Sequence, residues 1–126
     1  MEIKKKTVLV VDDDVSQRKV LNEKFTIEGY NVLLAENGEE GLKIALEKHP
    51  DIILLDITMP KMDGPSMFTE LSRDKWGIEV PVIMLSNLSD SKYIVENIKN
   101  GVTDYIVKSD SKIADVVKKV KEILEK

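Results

Sequence analysis

The sequence predicts an α/β protein with one doubly wound parallel sheet of five strands between two layers of helices. Short aliphatic runs bounded by charged residues recur along the 126 residues, as is typical of strands buried on both faces of a parallel sheet. Segments in which apolar residues recur with helical period separate these runs. Successive parallel strands need a crossover connection, usually a helix, and such crossovers are right-handed. The chain is long enough for one core, so we predict a single domain over residues 1–126.

The five strands are predicted from short runs of aliphatic residues. The sharpest are Thr7–Val11 and 52–55, where the aliphatic residues are continuous. The other three are predicted at 31–35, 80–85 and 104–107. Pro81 is expected at the beginning of the fourth strand or just before it, where a missing amide hydrogen does least harm.

The five helices are predicted from the helical period of their apolar residues and from residues that are typical of helix ends. The last is the clearest, because its aliphatic residues share one helix face and its lysines fall outside it. Those residues are Ile113, Val116, Val117, Val120, Ile123 and Leu124. The four earlier helices are predicted at 15–28, with apolar residues Val20, Leu21 and Phe25, and at 39–48, 65–73 and 90–100. The expected end signals are Asp14 and either Ser89 or Asp90 as N-caps, Pro65 in a first turn, and Gly29 and Gly101 just past helices.

Composition excludes several classes of function. There is no cysteine and one histidine, which excludes thiol chemistry, cysteine-ligated metals and multi-histidine sites. His49 is interpreted as a surface residue and Trp76 as a packing residue. The longest aliphatic runs are far shorter than the roughly 20 residues that cross a bilayer, and no secretory signal is apparent, so we expect a cytoplasmic protein without membrane contact. The net charge of −4 argues against nucleic-acid binding.

Acidic residues follow the first and third predicted strands. Asp12, Asp13 and Asp14 come after the first strand, and Asp56 comes after the third. The carboxyl ends of parallel strands meet at one edge of a sheet, so these carboxylates are expected to converge. Two unit charges about 4 Å apart repel by roughly 4 kcal/mol at an effective dielectric constant near 20. A site whose donors are all oxygen atoms favours a hard cation. A few carboxylates with room for water are typical of a Mg²⁺ site, whereas a Ca²⁺ site has more protein oxygens.

The fourth and fifth predicted strands end in other polar groups. Ser86 follows the fourth strand and Lys108 follows the fifth, which places a hydroxyl and an ammonium group at the same edge as the acids. An ammonium group, a hydroxyl donor and a metal ion together are typical of a site that binds a dianion.

Four segments, each at a strand end, carry a family resemblance. They are VLVVDDD at 8–14, LLDITMPKMDG at 54–64, VIMLSN at 82–87 and DYIVK at 104–108. In this order they resemble the receiver domain of response regulators in two-component signalling, specifically a single domain of the chemotaxis-regulator type. The resemblance covers essentially the whole chain and implies a flavodoxin-like (βα)5 fold with strand order 2-1-3-4-5.

The resemblance implies a phosphoryl acceptor that depends on Mg²⁺, with Mn²⁺ as a substitute. Asp56 would accept the phosphoryl group, and Asp13 and Asp56 would bind the metal directly. Asp12 would act on the metal through water, and the backbone carbonyl of Thr58 would add a ligand. Such a protein catalyses its own phosphorylation and slow dephosphorylation, and it is not an enzyme with an external substrate.

The resemblance also implies a switch. Ser86 would hydrogen-bond a phosphoryl oxygen, Lys108 would pair with the phosphoryl group, and Tyr105 would change rotamer on activation. The surface of the fourth helix, fifth strand and fifth helix would then control a partner. The implied partners are a sensor histidine kinase or phosphotransfer protein upstream, and an effector protein or output domain downstream.

Two positions depart from the family pattern. Ser109 stands where the family usually has a proline, often after a cis peptide bond. A cis bond before a non-proline residue costs about 2.5–4 kcal/mol, so the loop after Lys108 is expected to take a different path. Asn87 is bulkier than the small residue common at that position, and it is expected to affect the dephosphorylation rate.

Three other functions compete with this interpretation. A phosphatase of the haloacid dehalogenase type needs a second acid two residues after its nucleophile, where this chain has Thr58. A flavodoxin-like electron carrier needs a phosphate-binding loop after the first strand, where Asp12 to Asp14 would repel a phosphate. A degenerate receiver that docks partners without phosphorylation remains the main alternative. The sequence leaves open whether the chain is a stand-alone regulator or part of a larger one.

Overall fold

The computed structural model describes residues 5–86, 102–107 and 112–125. Strands and helices alternate through these ranges. They are β1 (Thr7–Val11), α1 (Val15–Ile27), β2 (Asn31–Ala35), α2 (Gly38–Lys48), β3 (Ile52–Asp56), α3 (Gly64–Leu71), β4 (Val82–Ser86), β5 (Asp104–Val107) and a C-terminal helix (Ile113–Leu124). The predicted helix at 90–100, with its end signals Ser89, Asp90 and Gly101, lies outside the described residues.

The five strands form one parallel sheet in the order β2-β1-β3-β4-β5. This confirms the predicted fold class and strand order. In the register between the neighbouring strands β1 and β3, Val11 at the end of β1 pairs with Leu55 of β3. The next residues along the two strands are Asp12 and Asp56, so the topology brings two acidic residues to neighbouring positions at the carboxyl edge.

Helices cover both faces of the sheet, which gives the predicted three layers. Alternate side chains of β1 enter two separate cores: Val10 belongs to the core with Phe25 of α1 and Val120 of the C-terminal helix. Leu9 belongs to the core on the opposite face, with Met67 of α3. Every residue of β3 and β4 is buried, as expected of parallel strands covered on both sides. No helix in the described ranges is long and apolar enough to span a bilayer.

The buried stripe of α1 differs from the sequence prediction. The residues that α1 buries are Arg18, Leu21 and Phe25. Val20, which was counted among the apolar residues of this helix, is 44% exposed. The buried stripe therefore includes a charged residue in place of a valine, and that residue faces the carboxyl edge of the sheet.

The end signals of the described helices lie where they were predicted. The Asp14 side chain accepts hydrogen bonds from the amides of Ser16 and Gln17 at 2.9 and 3.2 Å, which makes it the N-cap of α1. Gly29 follows α1 with a φ of 97°, a left-handed conformation in which a side chain is strained. Pro65 lies in the first turn of α3, and Pro81 directly precedes β4.

His49 and Trp76 stack against each other at the amino-terminal end of the sheet. Their ring centroids lie 4.2 Å apart and their planes differ by 7°. His49 is exposed, as predicted, and Trp76 packs against the core that contains Met67. This contact lies at the end of the sheet opposite Asp12 and Asp56.

An ion pair joins α1 to the C-terminal helix. The Lys121 ammonium lies 2.5 Å from the Glu28 carboxylate at the end of α1. The hydrogen bond and charge of Lys121, with a smaller contribution from Lys24, lower the pKa of Glu28. The same hydrogen bond raises the pKa of Lys121. The pair therefore favours the ionised form of both partners.

We expect Glu28→Gln to lower the melting temperature at neutral pH by a few degrees at most, because exposed ion pairs are weak. The pKa of Glu28 is lower in the folded protein, so the contribution of the pair is present above the ordinary glutamate range. It is lost as the pH falls through the folded value. Thermal unfolding followed by circular dichroism at neutral and acidic pH measures this, with Glu47→Gln on α2 as the charge-matched control. A deficit of equal size at both pH values would contradict the prediction.

Candidate functional site

The acidic residues that follow β1 and β3 converge at the carboxyl edge of the sheet. One carboxylate oxygen from each of Asp12, Asp13 and Asp56 lies within 4.8 Å of the other two. Asp12 is fully buried and Asp56 is 4% exposed, whereas Asp13 is exposed to solvent. Asp14 is directed into its capping role on α1. The structure thus assembles three of the four acids and assigns the fourth to the helix.

The three carboxylates fit a hard divalent cation. Their charges repel strongly at this separation, and the repulsion is greater where the groups are buried. A cation between them relieves it, and a donor set of oxygen alone is the one that Mg²⁺ and Ca²⁺ prefer. Because Asp13 is exposed, water can complete the coordination, which is the usual situation for Mg²⁺.

The turn after β1 is held by one hydrogen bond to β2 and by another within the turn. The Asp12 amide donates to the Ala35 carbonyl of β2 at 3.1 Å. The Asp14 amide donates to Oδ1 of Asp12 at 2.9 Å. These bonds fix the chain direction at the point where Asp13 projects towards solvent.

Backbone hydrogen bonds connect the loop between β3 and α3 to β4, to α2 and to itself. The Ile57 amide donates to the Leu85 carbonyl at 3.2 Å, and the Gly64 amide donates to the Ile57 carbonyl at 2.8 Å. The Gly38 amide at the beginning of α2 donates to the Met62 carbonyl at 2.9 Å. Thr58 lies within this loop, two residues after Asp56, and is exposed.

Gly64 is required by the close approach of this loop to β3. A Cβ atom at position 64 would lie 2.3 Å from the carbonyl oxygen of Asp56 and 3.1 Å from the Cα atom of Ile57. Backbone atoms cannot approach a side chain so closely, so any larger residue would push the loop away from Asp56. The glycine thereby fixes the position of the Thr58 region relative to the acidic cluster.

Ser86 lies on β4, the strand beside β3, and Tyr105 lies on β5, one strand further out. Ser86 is the last residue of β4 and is 2% exposed. It is the register partner of Val107, and Tyr105, which is half-buried, is the register partner of Met84. Ser86 therefore shares the carboxyl edge with the acids, one strand away from Asp56. Lys108, Asn87 and Ser109 lie outside the described residues, and their roles stay predictions.

Arg18 belongs to the site and was missed in the sequence. It is 9% exposed, and its Nη1 atom donates to the Asp12 carbonyl at 2.7 Å. Its Nη2 atom lies 3.3 Å from Oε1 of Glu36, which follows β2. The available signal was the spacing of Arg18, Leu21 and Phe25, which places the arginine on the buried stripe of α1.

Comparison with known proteins agrees with this architecture. Residues 8–121 match the family model of the response regulator receiver domain. A probable transcriptional regulator ycf27 of Cyanophora paradoxa is 41% identical over 108 residues, covering 86% of this chain and 44% of that protein. The phosphate regulon transcriptional regulatory protein PhoB of Pseudomonas aeruginosa is 31% identical over 121 residues, covering 96% of this chain and 52% of that protein. The chain therefore spans about half the length of these curated relatives.

Solved structures show the same fold. The chemotaxis protein CheY4 of Vibrio cholerae superposes with a TM-score of 0.85 at 27% identity, over 96% of this chain and all of that one. A putative response regulator from Chloroflexus aurantiacus gives a TM-score of 0.86 at 28% identity, over 98% of this chain and all of that one. A single parallel sheet of order 2-1-3-4-5 with acidic residues at its carboxyl edge places the protein in the flavodoxin-like fold class. The chain belongs to the response-regulator receiver family.

We expect Gly64→Ala to destabilise the fold by roughly 1–3 kcal/mol, the usual cost of forcing atoms into packed structure. The reason is that the added Cβ atom would lie 2.3 Å from the carbonyl oxygen of Asp56. Thermal unfolding gives the cost, and ¹H–¹⁵N correlation spectra should show amide shifts concentrated in residues 56–64. Gly29→Ala is the control, because nothing lies within 4 Å of its added carbon and only the left-handed φ is strained. Unchanged amide positions around Asp56 in Gly64→Ala would contradict the assigned role.

Proposed function

We propose that this receiver domain accepts a phosphoryl group on Asp56 in a Mg²⁺-dependent reaction, from a sensor histidine kinase or a phosphotransfer protein. The observation that carries the proposal is the convergence of Asp12, Asp13 and Asp56 within 4.8 Å. Membership of the receiver family supports it. The domain acts in the cytoplasm and catalyses only its own phosphorylation and dephosphorylation.

Asp56 is suited to be the nucleophile because of its place in the sheet. It is the last residue of β3, is 4% exposed and pairs in register with Leu85 of β4. An ionised carboxylate can attack phosphorus without a general base. A phosphorus–oxygen bond forms to Asp56 as the phosphorus–nitrogen bond of the donor imidazole breaks. The donor nitrogen keeps the bonding electrons, and the ring takes up a proton from water.

The residues assigned to the metal in this proposal are the acidic cluster and the loop after β3. Asp13 and Asp56 would bind it directly, Asp12 would act through water, and Thr58 would contribute its carbonyl oxygen. When bound, Mg²⁺ neutralises charge on the transferring phosphoryl oxygens, and Mn²⁺ can replace it. Lys108 pairs with the same oxygens.

Phosphorylation changes the surface through Ser86 and Tyr105 in this proposal. The new group adds negative charge and acceptor oxygens beside β4. The Ser86 hydroxyl donates to one of these oxygens, and the movement opens space that the Tyr105 ring enters. The surface of β5, the C-terminal helix and the segment between β4 and β5 then presents a different shape to an effector protein or an output domain. The two relatives named above are called transcriptional regulators, so control of transcription through such a partner fits this output.

We expect acetyl phosphate or phosphoramidate with Mg²⁺ to increase the mass of the intact protein by one phosphoryl group. Asp56→Asn should abolish the increase because it removes the nucleophile. Mass spectrometry of the intact chain measures both. Asp51→Asn is the matched control, since it alters an aspartate whose side chain accepts from the Thr7 amide at 2.7 Å, outside the acidic cluster. Equal labelling of Asp56→Asn and the parent would show that Asp56 is not the acceptor. No labelling of the parent would favour the alternative of a degenerate receiver that docks partners without phosphorylation.

We expect millimolar Mg²⁺ to raise the melting temperature, because a ligand at 100 times its dissociation constant stabilises by about 2.7 kcal/mol. Asp13→Asn should stabilise the metal-free protein by easing repulsion and should lose the response to Mg²⁺. Asp14→Asn is the matched control, because asparagine also caps helices well and position 14 is outside the cluster. Thermal unfolding with and without Mg²⁺ measures both effects. The metal assignment fails if the parent transition does not move.

A further inference from the structure

We propose that Arg18 is a positioning residue for the metal site, acting through the backbone of Asp12. The inference rests on the proposed binding of Mg²⁺ at Asp12, Asp13 and Asp56. The guanidinium group of Arg18 holds the Asp12 carbonyl and Glu36 together, and thereby fixes the turn that carries Asp13.

The burial of Arg18 shows that its position is fixed. Its side chain is 11% exposed, whereas the side chain of Glu36 is 67% exposed. A buried charge is costly unless it is paired and hydrogen-bonded, and Arg18 meets this need with the 2.7 Å bond from Nη1 to the Asp12 carbonyl. Because exposed ion pairs contribute little, the contact with Glu36 at 3.3 Å serves mainly to orient the planar group.

The carbonyl that Arg18 contacts belongs to Asp12, the residue that connects β1 to the acidic turn. The Asp12 amide is bound to the Ala35 carbonyl at 3.1 Å, and Oδ1 of Asp12 accepts from the Asp14 amide at 2.9 Å. Arg18 holds the carbonyl that leads into the Asp12–Asp13 peptide. Loss of the arginine would free this peptide to rotate, and the Asp13 carboxylate would move relative to Asp56.

Charge and geometry predict effects of opposite sign, which makes the role testable. Arg18 is a cation near a cation site, so if it acted through charge alone, its removal would tighten Mg²⁺ binding. If it acts by positioning, its removal weakens binding. Residues that orient metal ligands typically change metal affinity by about 10–100-fold when mutated.

The experiment is calorimetric titration of the metal-free chain with MgCl₂ at a temperature where each variant is folded. We expect Arg18→Met to weaken binding about tenfold or more, and Arg18→Lys to recover part of the loss because lysine keeps a donor but not the planar fork. Lys19→Met is the matched control, since it removes the same charge from an exposed neighbour on α1 and should not weaken binding. Glu36→Gln should change the affinity little.

A second measurement separates positioning from general stability. Amide spectra of metal-free Arg18→Met should show shifts concentrated around Asp12 and Glu36, the two residues that the guanidinium contacts. Binding of Arg18→Met as tight as the parent, or tighter, would overturn the inference while leaving the proposed function intact. Absence of Mg²⁺ binding by the parent would overturn both. If Arg18→Met does not fold, the titration is made with Arg18→Lys, for which binding equal to the parent overturns the inference.

Discussion

The register between β1 and β3 is the constraint on which the site depends. Pairing Val11 with Leu55 satisfies the backbone hydrogen bonds of two buried strands, and the next residue of each strand is an aspartate. The repulsion between Asp12 and Asp56 follows from a pairing that the hydrophobic core stabilises, so neither backbone position can shift without disturbing the sheet. The fold thus holds in place an arrangement of charges that a flexible chain would avoid, and it makes cation binding favourable.

The loops around this edge are held by contacts that leave the carboxylates in position. Arg18 binds the turn after β1, the Gly38 amide binds the loop after β3, and Gly64 allows that loop to lie against Asp56. Each contact uses a backbone carbonyl as acceptor or neighbour, so none of these three contacts occupies a carboxylate oxygen of the acidic cluster. Local features of three helices are therefore part of the site, although none of them lies among the acidic residues.

The sequence predicted the sheet well because its signals are strong and local. Continuous aliphatic runs mark the strands, and the acids and Ser86 at their ends could be placed at one edge from topology alone. The buried face of α1 was harder to predict, because Val20 was counted among its apolar residues and the pattern of apolar residues gives no place to Arg18. In the structure the guanidinium is buried where it can reach a carbonyl, a tertiary requirement that overrides the hydrophobic pattern. The close approach at Gly64 likewise depends on a distance that no sequence pattern encodes.

The different exposure of the two aspartates supports different roles for them. Asp56 ends a strand with neighbours on both sides and is 4% exposed, whereas Asp13 lies in a turn and faces solvent. In the proposed reaction the acceptor must stay fixed so that an incoming phosphorus meets it in line, while a metal ligand must allow water and ions to exchange. Negative charge added at a fixed position cannot be relieved by movement of β3. The adjustment is expected to pass to β4, whose buried Ser86 ends the strand next to Asp56, and then to β5, one of the two edge strands of the sheet. The response to phosphorylation is therefore expected on that side of the molecule.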